Sequence, residues 1–403
     1  MLLFDIQDLK LPGRLVEHYE SAAILAQVSD LLCQGIRRFF GAQPVTLTRE
    51  NLSLLKQSSY FVSEKSDGVR MMLLILKIGD GLNLYFLDRN TKIYEVQTMD
   101  GRLSQGYPTN SIIDGELVLT SRNQGMQFIA FDCLVLRGEN LTKLGFSTRL
   151  DKLSKQVFEV DGEGSISVKI LEANPHLELI FKRQYPHNNI RYLLEDIIPN
   201  QAHANDGLIF TLAEGAYTIG TCSKMIKWKP PGKISLDFKL HIRSQSRTSD
   251  NKPVFRLLTW IGGKKYVYFD DLTVTDAQWK YWSLQGTVLQ NRIVEVVKDD
   301  THDKSKLQPK RSIWRFSRFR DDKPHGNHIS VVKKILTSLE EAVTQDQLIT
   351  ATMCVEEKFI VGAQCADIRK SMLKQTLPEQ SNRNAQSTFG VSTPHSLSVQ
   401  VRS

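Results

Sequence analysis

The stretch SSYFVSEKSDGVRMMLLIL, Ser58–Leu76, decides how this chain is read. It sets Lys65 between two apolar runs of strand length, with Asp67-Gly68 and then Arg70 just behind. Asp-Gly between apolar runs is the usual hairpin signal, and on that reading Lys65 is an ordinary turn residue. The other reading is a partly buried amine that attacks an electrophile. A free lysine amine titrates near ~10.4, so only about 0.04% is unprotonated at pH 7. A nucleophilic lysine needs that value lowered by ~3 units, a differential of about 4 kcal/mol, which burial and nearby cations supply. The flanking strands offer burial, and Arg70 offers a cation. A divalent metal with phosphate would be another source of positive charge.

The length of 403 residues suggests two domains and a tail. Hydrophobic residues at 41% and charged residues at 24% suit a globular chain with a sizeable core. The net charge of +8 leans toward an anionic partner, nucleic acid or nucleotide, without requiring one. Cys33, Cys133, Cys222, Cys354 and Cys365 are scattered, with none of the close spacings of a zinc or redox pair. They read as reduced thiols of an intracellular protein. No apolar run approaches the roughly 20 residues that span a bilayer, so no membrane partner is expected. The opening MLLFDIQDLKLPGR carries early acids and no basic segment, unlike a secretory signal.

Residues 16–40 have helical spacing. VRMMLLILKIG, LNLYFLD, KIYEVQ, SIIDGELVLT and MQFIAFDCLVL have strand composition, whereas TRLDKLSKQVF and NNIRYLLEDII are helical. No βαβ unit repeats, so the class is α+β, with antiparallel sheets flanked by helices. After KWKPPGK come ISLDFKLHIRS, VFRLLTWIG, KKYVYFD, NRIVEVVKD and SIWRFSRFR, short strands that a small closed β-barrel would use. Ile329–Ile349 reads as one amphipathic helix, with Val332, Ile335, Leu336, Leu339 and Val343 on one face. The boundaries follow: a first domain over 1–236, a barrel domain with a terminal helix over 237–370, and a Ser-, Gln- and Asn-rich disordered tail over 371–403.

Behind Lys65 a series of short motifs follows. They are LDRN with Asp88–Arg89, DGELV from Asp114, FIAFDCLV from Phe128, NDGLIFT from Asn205, IKWKPP from Ile226, and WRFSRFRDDKPHGNH from Trp314. Each has a plain structural reading. Glu116 and Asp206 lie beside a glycine, where turn capping is common. Phe131 sits in an apolar strand, as core residues do. Lys227 and Lys229 are two apart, on one strand face, as on a solvated edge or around a phosphate. Trp314, Phe316 and Phe319 alternate with Arg315 and Arg318, which suits either a barrel strand or a single-stranded nucleic-acid surface.

In this order the series resembles the covalent lysyl-nucleotidyltransferases, the messenger-RNA capping guanylyltransferases and ATP-dependent polynucleotide ligases, and looks most like the single-function fungal capping type. The resemblance runs from about Asn51 to His328. It implies a nucleotidyltransferase domain followed by an OB-fold barrel. It implies GMP transfer from GTP, through a lysyl-N–GMP on Lys65, to 5′-diphosphate RNA. It places Arg70 and Glu116 at the ribose, Arg89 in the nucleotide site, Phe131 on the base, and Lys182 at the guanine O6. Lys227 and Lys229 would face the α-phosphate, and Asp206 would lie near metal and phosphate. Arg320, Asp322 and Lys323 would reach the β- and γ-phosphates. Mg2+ or Mn2+ is implied, held mainly by phosphate oxygens with Asp206 as the candidate protein ligand. Only 64 residues precede Lys65, so an attached triphosphatase is not expected. A separate RNA 5′-triphosphatase subunit, the phosphorylated tail of RNA polymerase II and a nuclear location are implied instead. A ligase with the same lysine chemistry, or an inactive OB-type nucleic-acid-binding module, are the competing readings.

Overall fold

The computed structural model describes residues 13–99, 107–120, 125–158, 167–168, 177–247, 252–284, 286, 288–298 and 314–353. The 371–403 tail and the thiols of Cys354 and Cys365 lie outside these residues.

Ser58–Leu76 is not a hairpin. Tyr60–Ser66 belongs to a five-stranded sheet, between Tyr185–Pro186 and Asn205–Leu212, with Gly220–Trp228 and Ala42–Thr46 beyond. Val69–Ile78 lies in a nine-stranded sheet, between Gly81–Leu87 and Ser111–Leu119. Asp67-Gly68 is therefore the crossing from one sheet to the other. The Asp67 amide donates to the Ala204 carbonyl (2.9 Å), and a Cβ on Gly68 would overlap the Leu117 carbonyl oxygen. The Asp-Gly signal marks a tight change of direction correctly, but it says nothing about which strands pair.

The MMLLIL run lacks alternation because both faces of its strand are covered. Met71, Leu73 and Ile75 pack with Phe86, Phe128, Leu153 and Phe158. Met72, Leu74 and Leu76 pack with Val28, Leu32, Phe40 and Tyr217 on the other side. The helix that supplies Ile24, Val28 and Leu32 runs over His18–Leu32, shorter than the 16–40 spacing predicts. It stops at Cys33, which adopts a left-handed conformation (φ 53°) and donates its amide to Asp30. Glycine usually marks such a stop, and none stands there. Named strands pair antiparallel except at Met126–Leu136 with Leu177–Phe181, Ala42–Thr46 with Gly220–Trp228, and Lys265–Thr273 with Trp314–Phe319.

From Ser235 onward, five strands close into a barrel: Ser235–Arg247, Pro253–Gly262, Lys265–Thr273, Trp314–Phe319 and Ile293–Lys298. A five-stranded closed barrel is the OB arrangement. Phe238, Leu257, Val294 and Trp314 fill its core. The Asp276–Leu284 helix is not apparent from apolar spacing. Its start is a reciprocal capping box, in which the Thr275 amide donates to Gln278 Oε1 (3.0 Å) and the Gln278 amide to Thr275 Oγ1 (3.2 Å).

The same T-x-x-Q device divides the expected Ile329–Ile349 helix in two. Ile329–Glu340 ends, and Gln345–Met353 begins behind a box formed by Thr344 and Gln347. The two parts serve different cores. Val332, Ile335, Leu336 and Leu339 pack on the barrel. Val343, Leu348 and Ile349 instead pack with Leu47, Leu55, Phe210 and Trp228 behind the five-stranded sheet. Trp228 Nε1 donates to the Val343 carbonyl (2.8 Å), so the chain returns from the barrel to the five-stranded sheet.

Candidate active site

A cleft opens between the two sheets. The five-stranded sheet contributes Ser63, Lys65, Ser66, Ile209, Thr211 and Met225 to its wall. The larger sheet contributes Arg70, Glu116, Phe131 and Asp132, and Arg89, Lys182 and Gln184 come from adjoining turns. The crossing at Asp67-Gly68 is what brings Lys65 and Arg70 to opposite walls.

Lys65 is the penultimate residue of its strand and is only partly buried, with 25% of its side chain exposed. Its Nζ lies 2.8 Å from Asp206 Oδ1, and the Lys229 ammonium pairs with Asp206 Oδ2. Asp206 reaches them because of a β-bulge. The ladder passes from Asn205 opposite Ser66 to Gly207 opposite Lys65, leaving Asp206 as the extra residue. Gly207 (φ +154°) is required there, since a Cβ would overlap the Trp228 carbonyl oxygen. Asp206 is thus not a turn cap. Burial alone would raise its pKa; attraction to Lys65 and Lys229 overcomes this and holds the carboxyl below its ordinary value.

Met225 and Lys227 share one strand face, with Lys229 just past the strand end, and Lys227 stands opposite Ile209, which lines the cleft. Burial first, then the charges of Lys229, Lys65 and Arg89, lower the Lys227 pKa. A group of cations that disfavour one another's charge is a site prepared for an anion.

Arg70 does not supply the free cation expected beside Lys65. It is buried and bound to Asp114 by two hydrogen bonds, Nε to Oδ1 (2.9 Å) and Nη2 to Oδ2 (2.6 Å). Tyr217 Oη also donates to Asp114 Oδ2 (2.5 Å) and accepts from the Ala42 amide (3.0 Å). A second buried pair, Arg149 with Asp132 (2.7 and 2.9 Å), lies close by. Sequence reasoning passed over Asp114, Asp132, Arg149 and Tyr217. An Asp in the middle of an apolar strand was the available signal, because a buried carboxylate needs a cationic partner.

Phe131 is the partly exposed residue in the buried run from Phe128 to Leu136. It too sits at a bulge. The ladder goes from Asp114 opposite Asp132 to Gly115 opposite Ala130, so Phe131 is unpaired and turned into the cleft rather than into the core. The Arg70 guanidinium lies 5.4 Å from its ring centroid. Glu116 lines the cleft from mid-strand, not from a turn. Burial raises its pKa against the pull of Lys182, Lys65, Arg70 and Arg89. Arg89 is exposed on a turn held by Asp88 Oδ1, which accepts from the amides of Asn90 and Lys92 (2.8 Å each). Lys182 is buried at the cleft wall, with Nζ donating to Ser66 Oγ (2.8 Å) and paired with Glu64 Oε1 (3.0 Å).

Arg320, Asp322 and Lys323 form a separate cluster on the barrel, and none lines the cleft. Arg320 binds Asp322 through two hydrogen bonds (2.9 and 2.8 Å) and approaches Asp237 (3.3 Å), which also pairs with Lys323. Trp314, Phe316 and Phe319 pack into the barrel core, so their alternation with arginine does not make a stacking surface.

Among the described residues no cluster of three or more His, Cys, Asp or Glu side chains could hold a metal. Asp206 Oδ1, however, is buried without an aligned hydrogen-bond donor, despite its ionic contact with Lys65. One such oxygen, completed by phosphate oxygens, fits the manner in which Mg2+ is bound beside nucleotides.

Nucleotidyl transfer is the class of reaction that a lysine in a cation-rich cleft, ahead of an OB barrel, is built for. The family description for the mRNA capping enzyme catalytic domain matches residues 6–231, and that for its C-terminal domain matches residues 233–349. The mRNA-capping enzyme subunit alpha of Schizosaccharomyces pombe is 30% identical over 398 residues, covering 94% of this chain and 95% of that one. Its namesake from Neurospora crassa is 28% identical over 400 residues, covering 89% and 95%. Among solved structures, a mycobacterial DNA ligase D complexed with ATP and MES is 14% identical, covers 70% of this chain and 95% of that one, and has a TM-score of 0.38. The chain belongs to the mRNA capping enzyme family and is a nucleotidyltransferase, an mRNA guanylyltransferase.

Proposed function

We propose that Lys65 carries the covalent step and that the surrounding residues divide the nucleotide between them. The lysine lone pair attacks the α-phosphorus of GTP. A nitrogen–phosphorus bond forms, the bond from the α-phosphorus to the bridging oxygen breaks, and pyrophosphate leaves. An oxygen of the 5′-diphosphate end of RNA then attacks the same phosphorus, the nitrogen–phosphorus bond breaks, and a GpppN end results. The single observation that carries this reading is the placement of Lys65 Nζ at the cleft wall, bound to a carboxylate that Lys229 shares.

An ammonium in an ion pair has no lone pair to offer, so attack requires Lys65 to pass a proton to solvent and leave Asp206, and the amine takes a proton back when RNA displaces it. Triphosphate oxygens would compete with Asp206 for Lys65 itself, and Lys65 would yield the carboxylate to a divalent cation at Asp206, while Lys229 and Lys227 turn to the phosphate. Those two lysines then face the charge that grows on the α-phosphate oxygens. Phe131 stacks on the base, Glu116 and Arg89 hold the ribose side, and Lys182 donates to the guanine O6. Arg70 contributes by holding its wall in place and by meeting the ribose from its fixed pair with Asp114. Mg2+ or Mn2+, when bound at Asp206 and phosphate oxygens, would neutralise phosphate charge. Arg320, Asp322 and Lys323 would meet the β- and γ-phosphates only after the barrel closes on the cleft.

The relatives are named as alpha subunits, which supports a partner subunit for this chain. RNA ending in a diphosphate calls for that partner to be a 5′-triphosphatase. The net charge of +8 suits RNA and a phosphorylated polymerase tail, and with them a nuclear location. The test is labelling with α-labelled GTP and Mg2+, followed by denaturation and mapping of an acid-labile adduct. The adduct is expected on Lys65 and lost in Lys65→Met. Labelling by ATP in place of GTP, or an adduct on another lysine, would overturn the assignment.

A further inference from the structure

We infer that Glu64 and His203 are positioning residues for base recognition: they fix Lys182 so that it offers one hydrogen-bond donor to the cleft. The inference rests on the reading of Lys182 as the donor to the guanine O6.

A lysine ammonium has three N–H donors and no acceptor. Two are committed within the wall, to Ser66 Oγ (2.8 Å) and to Glu64 Oε1 (3.0 Å). The third is left for the cleft that Lys182 lines. A keto oxygen at the six position of a purine accepts it. An exocyclic amine at the same position sets donor against donor and leaves a buried charge without its bond, a penalty that discriminates strongly.

This selection needs the ammonium to stay where it is, and lysine is a flexible chain. A competing carboxylate is present. Glu116 lies on the same cleft, and Lys182 is the cation that attracts it most strongly. Glu64 holds Lys182 against that pull. Glu64 is buried (4% exposed) and does not line the cleft, so its effect on a nucleotide passes through Lys182. His203 holds Glu64 and Ser66 in turn, with Nε2 3.5 Å from Glu64 Oε1 and 3.3 Å from Ser66 Oγ. Its own position is set by the sheet crossing: the next residue, Ala204, accepts the Asp67 amide, and Asn205 pairs with Ser66. The segment that aims Asp206 at Lys65 therefore also braces the base-reading lysine.

The experiment measures covalent adduct formation by the full chain over a range of GTP and ATP concentrations, for Glu64→Gln, His203→Ala, His203→Gln and Lys182→Met. Glu64→Gln is expected to raise the KM for GTP about tenfold, the effect of weakening one charge-assisted contact, with the saturating rate within about twofold of the parent. The preference for GTP over ATP should fall by the same factor. His203→Ala should act in the same direction, and His203→Gln, which keeps a hydrogen-bonding group, should recover part of the loss. A reduced saturating rate at unchanged KM would mark a merely structural role and overturn the inference. So would an intact GTP preference in Glu64→Gln and His203→Ala alongside its collapse in Lys182→Met. An intact preference in Lys182→Met would instead refute the base-reading assignment itself. If Glu64→Gln does not fold, the two His203 variants decide the outcome.

Discussion

Gly207 and Trp228 approach so closely across their strand pair that a Cβ on the glycine would overlap the tryptophan carbonyl oxygen. The contact sits beside the bulge that turns Asp206 toward Lys65 and Lys229. Gly207→Ala must push the two strands apart or flatten the bulge, and the backbone at φ +154° resists either change. A destabilisation of about 2–4 kcal/mol is expected from the combined overlap and backbone strain. At a temperature where the variant remains folded, adduct formation should still fall at least about tenfold, because Asp206 is no longer placed to position the lysines before attack or to hold the metal. Urea denaturation with parallel GTP labelling checks both effects. Full labelling of a folded variant would show that the position of Asp206 is not critical.

Phe131 is the partly exposed member of a buried run, so the proposed stacking role can be separated from packing. Phe131→Leu keeps an apolar side chain at the bulge but removes the stacking ring. The KM for GTP should rise by the equivalent of about 1–3 kcal/mol, roughly 5- to 150-fold, as expected for the loss of one base–aromatic stack. The melting temperature should move by only a few degrees, about 1 kcal/mol or less. A large loss of stability with unchanged KM would place Phe131 in the core after all.

The two bulges also explain what the sequence discloses and what it hides. Strands rich in Val, Ile, Leu and Phe can be found from composition, and so can the barrel after KWKPPGK. Partner choice is not local: Asp67-Gly68 looks like a hairpin and is a crossing between sheets. A one-residue bulge reverses which side of a strand a residue faces, so alternation around Asp206 and Phe131 would mislead. Motif order located those two, and only the ladder shows how they are aimed. Glu64, His203 and Tyr217 carry no local signal, because their partners come from distant segments; Asp114, in mid-strand, signals a buried cation without saying which one. The break between Ile329–Glu340 and Gln345–Met353, by contrast, was legible in principle: T-x-x-Q at Thr344 is a helix start.

The Glu64–Lys182 pair gives the protein a defined acid response. Burial opposes ionisation of Glu64, but Lys182 and His203 prevail and lower its pKa from 4.5 to about 2. A carboxyl depressed in the folded state adds stability that is present in full above its unfolded value. That stability is lost as pH falls toward the folded value. The stability gap between the parent and Glu64→Gln should therefore be near its maximum at pH 6–7, about 3 kcal/mol by linkage, and should close between about pH 4.5 and pH 2. Chemical denaturation of both proteins across that range measures it. A gap that stays constant with pH would show that Glu64 contributes through shape rather than charge.

The helix after the barrel should matter to catalysis although it lies behind the sheet. Leu348 is fully buried among Leu55, Phe210 and Trp228. Trp228 directly follows Lys227 and precedes Lys229, with its ring on the opposite face and bound to the Val343 carbonyl. Leu348→Ala opens a cavity under that ring and should cost about 2–5 kcal/mol, as large-to-small changes in a core do. Relaxation into the cavity would move the strand that carries Lys227 and leads into Lys229. GTP labelling of the folded variant should thus slow, while barrel contacts made by Val332 and Leu336 are untouched. Val332→Ala is the matched control: it damages the barrel core instead and should leave adduct formation on Lys65 less affected at equal loss of stability. Equal slowing by the two would mean that lost stability alone accounts for the effect, and that the returning helix does not support the catalytic strand.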